Sequence, residues 1–217
     1  MMKNWKKSDY IYWGMMLLPF VISACFYTRL PEQVPTQWNM ENEISSYSSR
    51  AMAAWGIPAF MFVMAIVLQF SLSTDPRKEN INRSGEMKII AKWLIAILAV
   101  ACQLVIVLSA VGIPMNVSLV MRVPVAVMII LMGNYMPKCK QNYVMGIKTP
   151  WALNDEENWN KTHRLGGYVW IIGGVIMLVD SFLNIPYLSF AVLMVLGVVP
   201  FAYSYMLYRK KSSSQEI

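Results

Sequence analysis

The residues best suited to chemistry lie in one polar stretch, GIKTPWALNDEENWNKTHRLGG, which runs from Gly146 to Gly167. It contains the only histidine of the chain, His163, with Trp159 four residues before it and three acids at 155–157. A histidine that acts as a general base needs a nearby partner, and zinc proteases of the HExxH type need two histidines four residues apart. The sequence has neither arrangement, so we expect no enzyme activity, no metal and no cofactor, and a capping or surface role for His163.

The same stretch carries the signals of a short helix. Asn154 is a favoured N-cap residue, and Glu157 three places later completes a capping box. The acids of the first turn and the cations Lys161 and Arg164 near the last turn suit the helix dipole. We therefore predict a short helix that begins after Asn154 and ends before the glycine pair at 166–167, where the chain can change direction.

Two interpretations of this helix remain open. As an interfacial helix it would lie on the inner leaflet, with Trp151 and Trp159 at the level of the lipid headgroups and its basic side chains on anionic lipid. As a docking platform it would bind a cytoplasmic partner protein. Composition does not separate the two interpretations.

The composition of the chain indicates that much of it lies in lipid rather than in water. Of the 217 residues, 57% are hydrophobic and 14% are charged, whereas about 25% of the residues in soluble domains are charged. A helix needs about 20 mostly apolar residues to span a bilayer, and six continuous stretches meet that length. We predict an all-α polytopic membrane protein with transmembrane helices near residues 9–28, 51–72, 89–112, 115–136, 166–184 and 187–208.

The distribution of charge predicts the orientation of these helices. The net charge is +7, and lysine and arginine concentrate at the N-terminus, in the connections 73–87 and 137–165, and in the C-terminal tail. The positive-inside rule places both termini and both connections in the cytoplasm, including the short helix between the fourth and fifth spans. Because the basic residues do not gather with aromatic residues on one face, we expect membrane lipid and not nucleic acid as a direct partner.

The connections that alternate with these basic ones are predicted to lie outside the cell. The long one, residues 28–50, contains Pro31 and Pro35, which exclude a regular helix at that point. Glutamates make it acidic, and Trp38 suits the headgroup layer. The cytoplasmic connection 73–87, by contrast, is expected to be an ordinary solvated loop.

Two charges lie within predicted spans away from the inner surface, Arg122 and Asp180. A lone charge at the centre of a bilayer costs at least about 2.5–3.5 kcal/mol, so we expect the two side chains to pair near the outer end of the bundle. Separate snorkelling of each side chain to the outer surface is the alternative. Exchange of the two charges tests the pair, because the double reversal must restore what each single reversal loses.

Small residues recur on the fifth predicted span. Gly167, Gly174 and Ser181 are seven residues apart, with Gly166 and Gly173 beside them. Residues at this spacing share one face of a helix, where a neighbouring helix can approach closely. We interpret them as a packing seam.

Three segments between residues 133 and 167, GNYMPK, NYVMGIKTPWAL and WNKTHR, follow one another along the chain. In this order they closely resemble the signature of the SdpI family of bacterial immunity proteins. A second pattern, LPEQVPTQW at 30–38, resembles an N-terminal membrane domain of unassigned function that recurs in the family. The resemblance makes these signature residues candidates for partner binding: Asn134, Pro137, Asn142, Gly146, Ile147, Lys148, Thr149, Pro150, Trp151, Trp159, Lys161, Thr162, His163 and Arg164.

The resemblance implies a multi-pass protein of the bacterial cell membrane that protects the cell against a secreted antimicrobial peptide of the SDP type. It also implies a receptor role, in which a cytoplasmic repressor protein is held at the membrane. The peptide would arrive from outside, and the candidates for its contact are Glu32, Trp38, Glu41 and Glu43.

One integral membrane domain is expected over residues 1–217. It would contain a two-helix segment, 9–72, with the extracellular loop 28–50, and an SdpI-like segment, 115–208, with the cytoplasmic signature loop 137–165. A transporter for a small molecule or ion, or a non-catalytic protein of membrane stress or organisation, remains an alternative function. The sequence shows no inverted repeat, which argues against the transporter.

Overall fold

The computed structural model describes residues 7–39 and 41–215; the lysines of the first six residues, which contribute to the predicted orientation, lie outside them. Within the described residues, six helices are long and apolar enough to cross a membrane, which confirms the predicted multi-pass helical protein. Lipid offers no hydrogen bonds, so apolar sequences of this length form helices that satisfy their own backbone. The candidate spans are Lys7–Arg29, Met52–Thr74, Gly85–Ala110, Val117–Lys138, Glu156–Leu183 and Leu188–Ser214.

The helices and strands follow one another in a simple order. In chain order the α-helices are α1 (Lys7–Phe26), α2 (Ile57–Thr74), α3 (Lys78–Arg83), α4 (Gly85–Ala110), α5 (Val117–Tyr135), α6 (Pro150–Asn154), α7 (Glu156–Leu183) and α8 (Leu188–Gln215). Two strands, β1 (Gln33–Trp38) and β2 (Ile44–Ser49), form an antiparallel hairpin between α1 and α2. Short 3-10 turns follow α1 and α5, and a π-helical turn at Met52–Gly56 precedes α2.

The chain divides into two compact units. The first contains the described parts of Met1–Gln69 together with Lys92–Pro124. The second contains Phe70–Ala91 and the described parts of Val125–Ile217. Helices α2, α4 and α5 each contribute residues to both units.

The first unit is built on close packing of α1, α2 and α4. Tyr12 and Met16 of α1 are buried with three alanines of the other two helices, Ala65, Ala96 and Ala99. Small side chains allow helices in a membrane to approach closely. Gln103 adds a polar link, because its Nε2 donates to Ser23 Oγ at 2.8 Å and to the C=O of Ala53 at 3.3 Å.

The hairpin of the first unit is an addition to the all-helical prediction. The prolines exclude a helix as expected, but they are compatible with a strand at the edge of a sheet. Leu30 and Val34 are buried in an apolar cluster with residues of α4 and of the turn before α2. Strand β1 therefore faces the core of the unit, while β2 is largely exposed.

Asn42 holds the tip of the hairpin in place. Its backbone has a positive φ of 67°, a conformation that asparagine tolerates better than most residues. Its Nδ2 donates to the C=O of Met115 at 3.0 Å, and its Oδ1 accepts the N–H of Ser118 at 3.2 Å. The side chain therefore bridges the turn before α5 and the unpaired N–H groups of its first turn.

We expect Asn42→Ala to loosen the hairpin by about 1–3 kcal/mol, because it removes two side-chain hydrogen bonds and strains a residue at positive φ. The measurement is hydrogen exchange of the β2 and early α5 amides in purified protein. Asn42→Asp is the matched control: it keeps the acceptor for Ser118 and should lose less protection. Equal exchange in all three proteins would remove Asn42 from this role.

In the second unit, glycines bring α7 into backbone contact with its neighbours. A Cβ placed on Gly167 would lie 2.8 Å from the C=O oxygen of Gly133 in α5, and one on Gly174 would lie 3.1 Å from that of Ala126. A Cβ on Gly173 would instead meet Leu196 of α8. The predicted packing seam is therefore confirmed at these glycines, and it has two faces.

Helix α7 begins and ends differently from the predicted short helix. Its N-cap is Asp155 rather than Asn154, which is instead the last residue of α6. The helix continues through the glycine pair at 166–167 to Leu183, because these glycines serve close packing rather than a turn. The predicted separate helix before the fifth span is therefore wrong, and the first turns of α7 take its place.

Candidate functional site

The signature segment, residues 133–167, joins α5 to α7 in the second unit. Residues 139–149 within it have no regular helix or strand. Backbone N–H and C=O groups in such a stretch still need hydrogen-bond partners when they are buried. Side chains of the signature supply many of them.

Asn142 builds the first turn of the segment and is fully buried. Its Oδ1 accepts the N–H groups of Val144 at 2.9 Å and Met145 at 2.6 Å, and its Nδ2 donates to the C=O of Lys140 at 2.8 Å. One side chain thus satisfies three backbone groups, a task that an aliphatic side chain of similar size cannot perform.

His163 supports the next part of the segment. Its Nε2 accepts the N–H of Ile147 at 3.0 Å, so Nδ1 must carry the ring proton, which it donates to the C=O of Trp159 at 2.8 Å. A doubly protonated ring would have no acceptor for Ile147. The hydrogen bonds therefore assign a neutral imidazole, which stacks on Trp159 with 3.9 Å between ring centroids.

Both aromatic rings are completely buried. The predicted surface role of His163 is therefore wrong, and so is the predicted position of Trp159 among the lipid headgroups. The indole N–H of Trp159 donates to the C=O of Cys139 at 2.8 Å, so the ring loses no polar bond when it is buried. Cys139 is itself buried, and this burial raises the pKa of its thiol.

The position of the His163 ring leaves room only for glycine at residue 146. The φ of Gly146 is +92°, a conformation that favours glycine, and a Cβ at this position would overlap His163 Nε2. The absence of a side chain therefore lets the loop cross directly over the ring. The next residue, Ile147, can then reach the ring nitrogen.

A buried polar network ties the segment to α8. The Ser204 hydroxyl donates to Asn158 Oδ1 at 2.8 Å, so the Thr149 hydroxyl must donate to Ser204 Oγ at 2.6 Å. Thr162 also donates to Asn158 Oδ1, at 3.0 Å, and Asn158 Nδ2 donates to the C=O of Ser204 at 2.9 Å. The network links the loop, α7 and α8 through four side chains.

Trp151 also anchors the segment on α8. Thr149 caps α6 by accepting the N–H of Ala152 at 3.1 Å, and Pro150 occupies the first helical position, which suits proline. The indole of Trp151 then packs against three aromatic rings of α8, with centroid distances of 5.0 to 5.9 Å to Phe201, Tyr205 and Tyr208.

The connection between α2 and α4 also belongs to the site, although the sequence predicted an ordinary solvated loop. Asp75 Oδ2 accepts the N–H of Tyr143 at 2.8 Å, and Arg77 Nη2 donates to the C=O of Leu153 at 3.0 Å. Farther along, Asn80 Nδ2 donates to the C=O of Gln141 at 2.8 Å, and Ser84 Oγ accepts the N–H of Lys140 at 2.8 Å. These hydrogen bonds show that the solvated-loop prediction is wrong. The sequence carries no local sign of them because the partners lie more than 50 residues away. The aspartate–proline pair at 75–76 was the one local signal of a defined turn.

The signature residues therefore separate into three groups by burial. The buried group, which holds the loop, consists of Asn142, Thr149, Trp159, Thr162 and His163. Gly146, Ile147 and Trp151 are partly buried, and the exposed residues are Asn134, Pro137, Lys148, Pro150, Lys161 and Arg164. Only the exposed and partly buried residues can touch a partner directly.

A cleft of about 510 Å³ opens beside the exposed residues. Its walls include Trp151, Tyr208 and the ion pair of Lys211 with Asp155, whose Nζ and Oδ2 are 2.7 Å apart. The hydrogen bond from Lys211 lowers the pKa of Asp155, so the N-cap of α7 stays ionised. Among the described residues, no group of histidine, cysteine, aspartate and glutamate side chains could hold a metal ion.

The other predicted sites lie away from the signature segment. Glu32, Glu41 and Glu43 are exposed around the hairpin, and Trp38 is partly buried in β1. Asp180 is buried in α7, where its carboxylate accepts the N–H of Ile185 at 2.9 Å and the hydroxyl of Ser189. Its pairing with Arg122 stays a prediction.

Comparisons with known proteins match two parts of the chain to families and most of it to one relative. The profile of the SdpI/YfhL protein family matches residues 138–204, and that of a domain of unknown function, DUF1648, matches residues 14–62. Over 204 residues the chain is 29% identical to the immunity protein SdpI of Bacillus subtilis strain 168, covering 93% of this chain and 96% of that protein. No solved structure matches.

We expect Gly146→Ala to destabilise the second unit by about 1–3 kcal/mol, because the new methyl group overlaps the imidazole and strains the positive φ. The measurement is unfolding of purified protein in detergent, with hydrogen exchange of residues 139–149. Gly197→Ala is the control, since a Cβ at this exposed helical position meets no atom within 4 Å. If both variants unfold alike, His163 does not hold the loop as described.

Proposed function

We propose that this chain, whose residues 138–204 match the SdpI/YfhL protein family, is an immunity protein that protects a bacterial cell against a secreted antimicrobial peptide of the SDP type. The observation that carries the proposal is the similarity to the Bacillus subtilis immunity protein over 93% of the chain. It includes both the hairpin unit and the signature segment, so the proposal concerns the whole molecule rather than one motif.

The hairpin supports an encounter with the peptide at the outer surface. On the charge argument, residues 28–50 face the outside of the cell. Arginine and aromatic side chains gather at the base of the hairpin: Arg50 lies 6.0 Å above the ring of Tyr27, which packs on Trp55. Such pairs suit the headgroup layer, and they would leave the acidic tip in water.

The signature segment supports a second part of the proposal, which is the binding of a cytoplasmic repressor protein. The buried signature residues hold the loop 139–149 through hydrogen bonds, and Lys148 on the loop and Arg164 on α7 are left exposed. Lys161 is exposed as well, but it forms an ion pair with Glu157, in which Nζ and Oε1 are 2.6 Å apart. A partner with an acidic surface would meet Lys148 and Arg164 first.

Expression of the chain in a sensitive bacterium should raise survival under an SDP-type peptide. We expect Gly146→Ala to reduce this protection and Gly197→Ala to preserve it, with equal amounts of each protein in the membrane. The measurement is the number of colonies that survive a range of peptide doses. Absence of protection by the wild-type chain, when it is inserted at normal amounts, would reject the immunity function.

The repressor proposal is tested in the same cells. A biotin ligase fused to the C-terminus should label a cytoplasmic protein in a manner that depends on the peptide, and the double variant Lys148→Ala, Arg164→Ala should lose this label. Arg209→Ala, which removes an exposed cation outside the signature, is the control. Labelling that is the same in all variants, or that is independent of the peptide, would reject the platform.

A further inference from the structure

The exposed strand β2, Ile44–Ser49, forms the outer edge of a sheet that has only two strands. Edge strands in soluble proteins are commonly protected by lysine, proline or a covering element. The sequence of β2, ISSYSS, contains neither lysine nor proline, and its side chains are exposed or partly exposed along its whole length. It is therefore open to pairing with another extended chain.

The register shows which backbone groups are available. The N–H of Arg50 donates to the C=O of Glu32 at 3.0 Å, so the backbone groups of these two opposite residues face each other across the hairpin. Hydrogen-bonded and non-hydrogen-bonded pairs alternate in an antiparallel ladder. Ser48, opposite Val34, therefore also faces β1, whereas Tyr47 and Ser49 direct their N–H and C=O groups outward.

The opposite edge of the hairpin is closed to the same kind of pairing. Val34 and Pro35 of β1 are buried, and Val34 belongs to the core cluster of the first unit. Pro35 has no N–H to donate, and its position opposite Tyr47 places that missing donor on the outer side of β1. An added strand therefore has one edge to use, that of β2.

Side chains along this edge indicate the chemistry of the added strand. Ile44 and Tyr47 are exposed apolar side chains on β2, at 44% and 53% of their surface. From residue 30 to residue 49 the chain contains three glutamates and no lysine or arginine. Two of these acids, Glu41 and Glu43, lie at the tip, where β2 begins, so the edge complements an amphipathic strand with its positive charge toward the tip.

We propose that the β2 edge captures an extended, positively charged stretch of the secreted peptide as a third strand of the hairpin. This inference rests on the proposed immunity function and adds the mode of binding to it. Main-chain hydrogen bonds to Tyr47 and Ser49 supply affinity, while Ile44, the Tyr47 ring and the tip acids select the occupant. Capture at this edge occurs outside the spans, before the peptide enters the bilayer.

Tyr47→Pro tests the edge directly, because it removes an outward N–H and leaves the ladder to β1 intact. Tyr47→Thr is the matched control, since it also loses the ring but keeps the N–H and suits a strand. With the protein in nanodiscs and a synthetic SDP-type peptide as the probe, we expect Tyr47→Pro to bind about tenfold more weakly than Tyr47→Thr. Protection of cells should fall in parallel.

A second variant, Glu41→Gln, tests the charge. It should weaken binding of the same peptide at low salt and have little effect at high salt, where the charge is screened. Equal binding by Tyr47→Pro and Tyr47→Thr, while the wild-type chain still protects cells, would overturn the inference alone. Failure of the wild-type chain to protect would overturn the immunity function and the inference together. A dimer of the free protein that Tyr47→Pro dissolves would assign the edge to a second copy instead and overturn the inference.

Discussion

A stretch of chain without helix or strand, placed between two membrane helices, must find partners for its own backbone polar groups. In the segment 139–149 side chains supply several of these partners: Asn142 within the loop, His163 and Trp159 from α7, and Ser84 from the connection before α4. Asn142, Met145 and Thr149 of this segment are buried, so an unmet N–H or C=O beside them would cost more than it does on an exposed surface. The conformation of the loop depends on these hydrogen bonds from side chains.

These buried hydrogen bonds change how the residues of the signature segment are interpreted, because some of them hold the loop instead of touching a partner. A histidine beside a tryptophan suggests a contact surface, yet both rings lie inside the unit and hold the loop above them. The exposed residues left to meet a partner are three cations, two prolines and Asn134, whereas the buried group holds the loop. A substitution of His163 and one of Lys148 could therefore abolish the same function for different reasons, the first through the shape of the loop and the second through the contact itself.

The sequence predicted the parts of the fold that depend on composition over many residues. Six apolar stretches of sufficient length became six helices, because lipid restricts the backbone to very few forms. Local details of the fold were harder to predict from the sequence. Asn154 and Asp155 are both good N-caps, and the N-cap of α7 is the second, which also pairs with Lys211 of α8. The serines of β2 show no alternation of apolar residues, so the hairpin gave no strand signal. The partners of Asp75 and Arg77 lie in another part of the chain, and no local pattern reveals them.

The turn between α7 and α8 shows how an acid can occupy a position close to hydrocarbon. The backbone reverses at Asn184, whose φ is +49°, and Asp180 receives the N–H of Ile185 and the hydroxyl of Ser189 on the far side of the bend. Two donors to the carboxylate, Ile185 and Ser189, thus lie within ten residues of it in sequence. During biosynthesis the last two spans can consequently leave the translocon as one preformed helical hairpin, without exposing the acid alone to the lipid acyl chains.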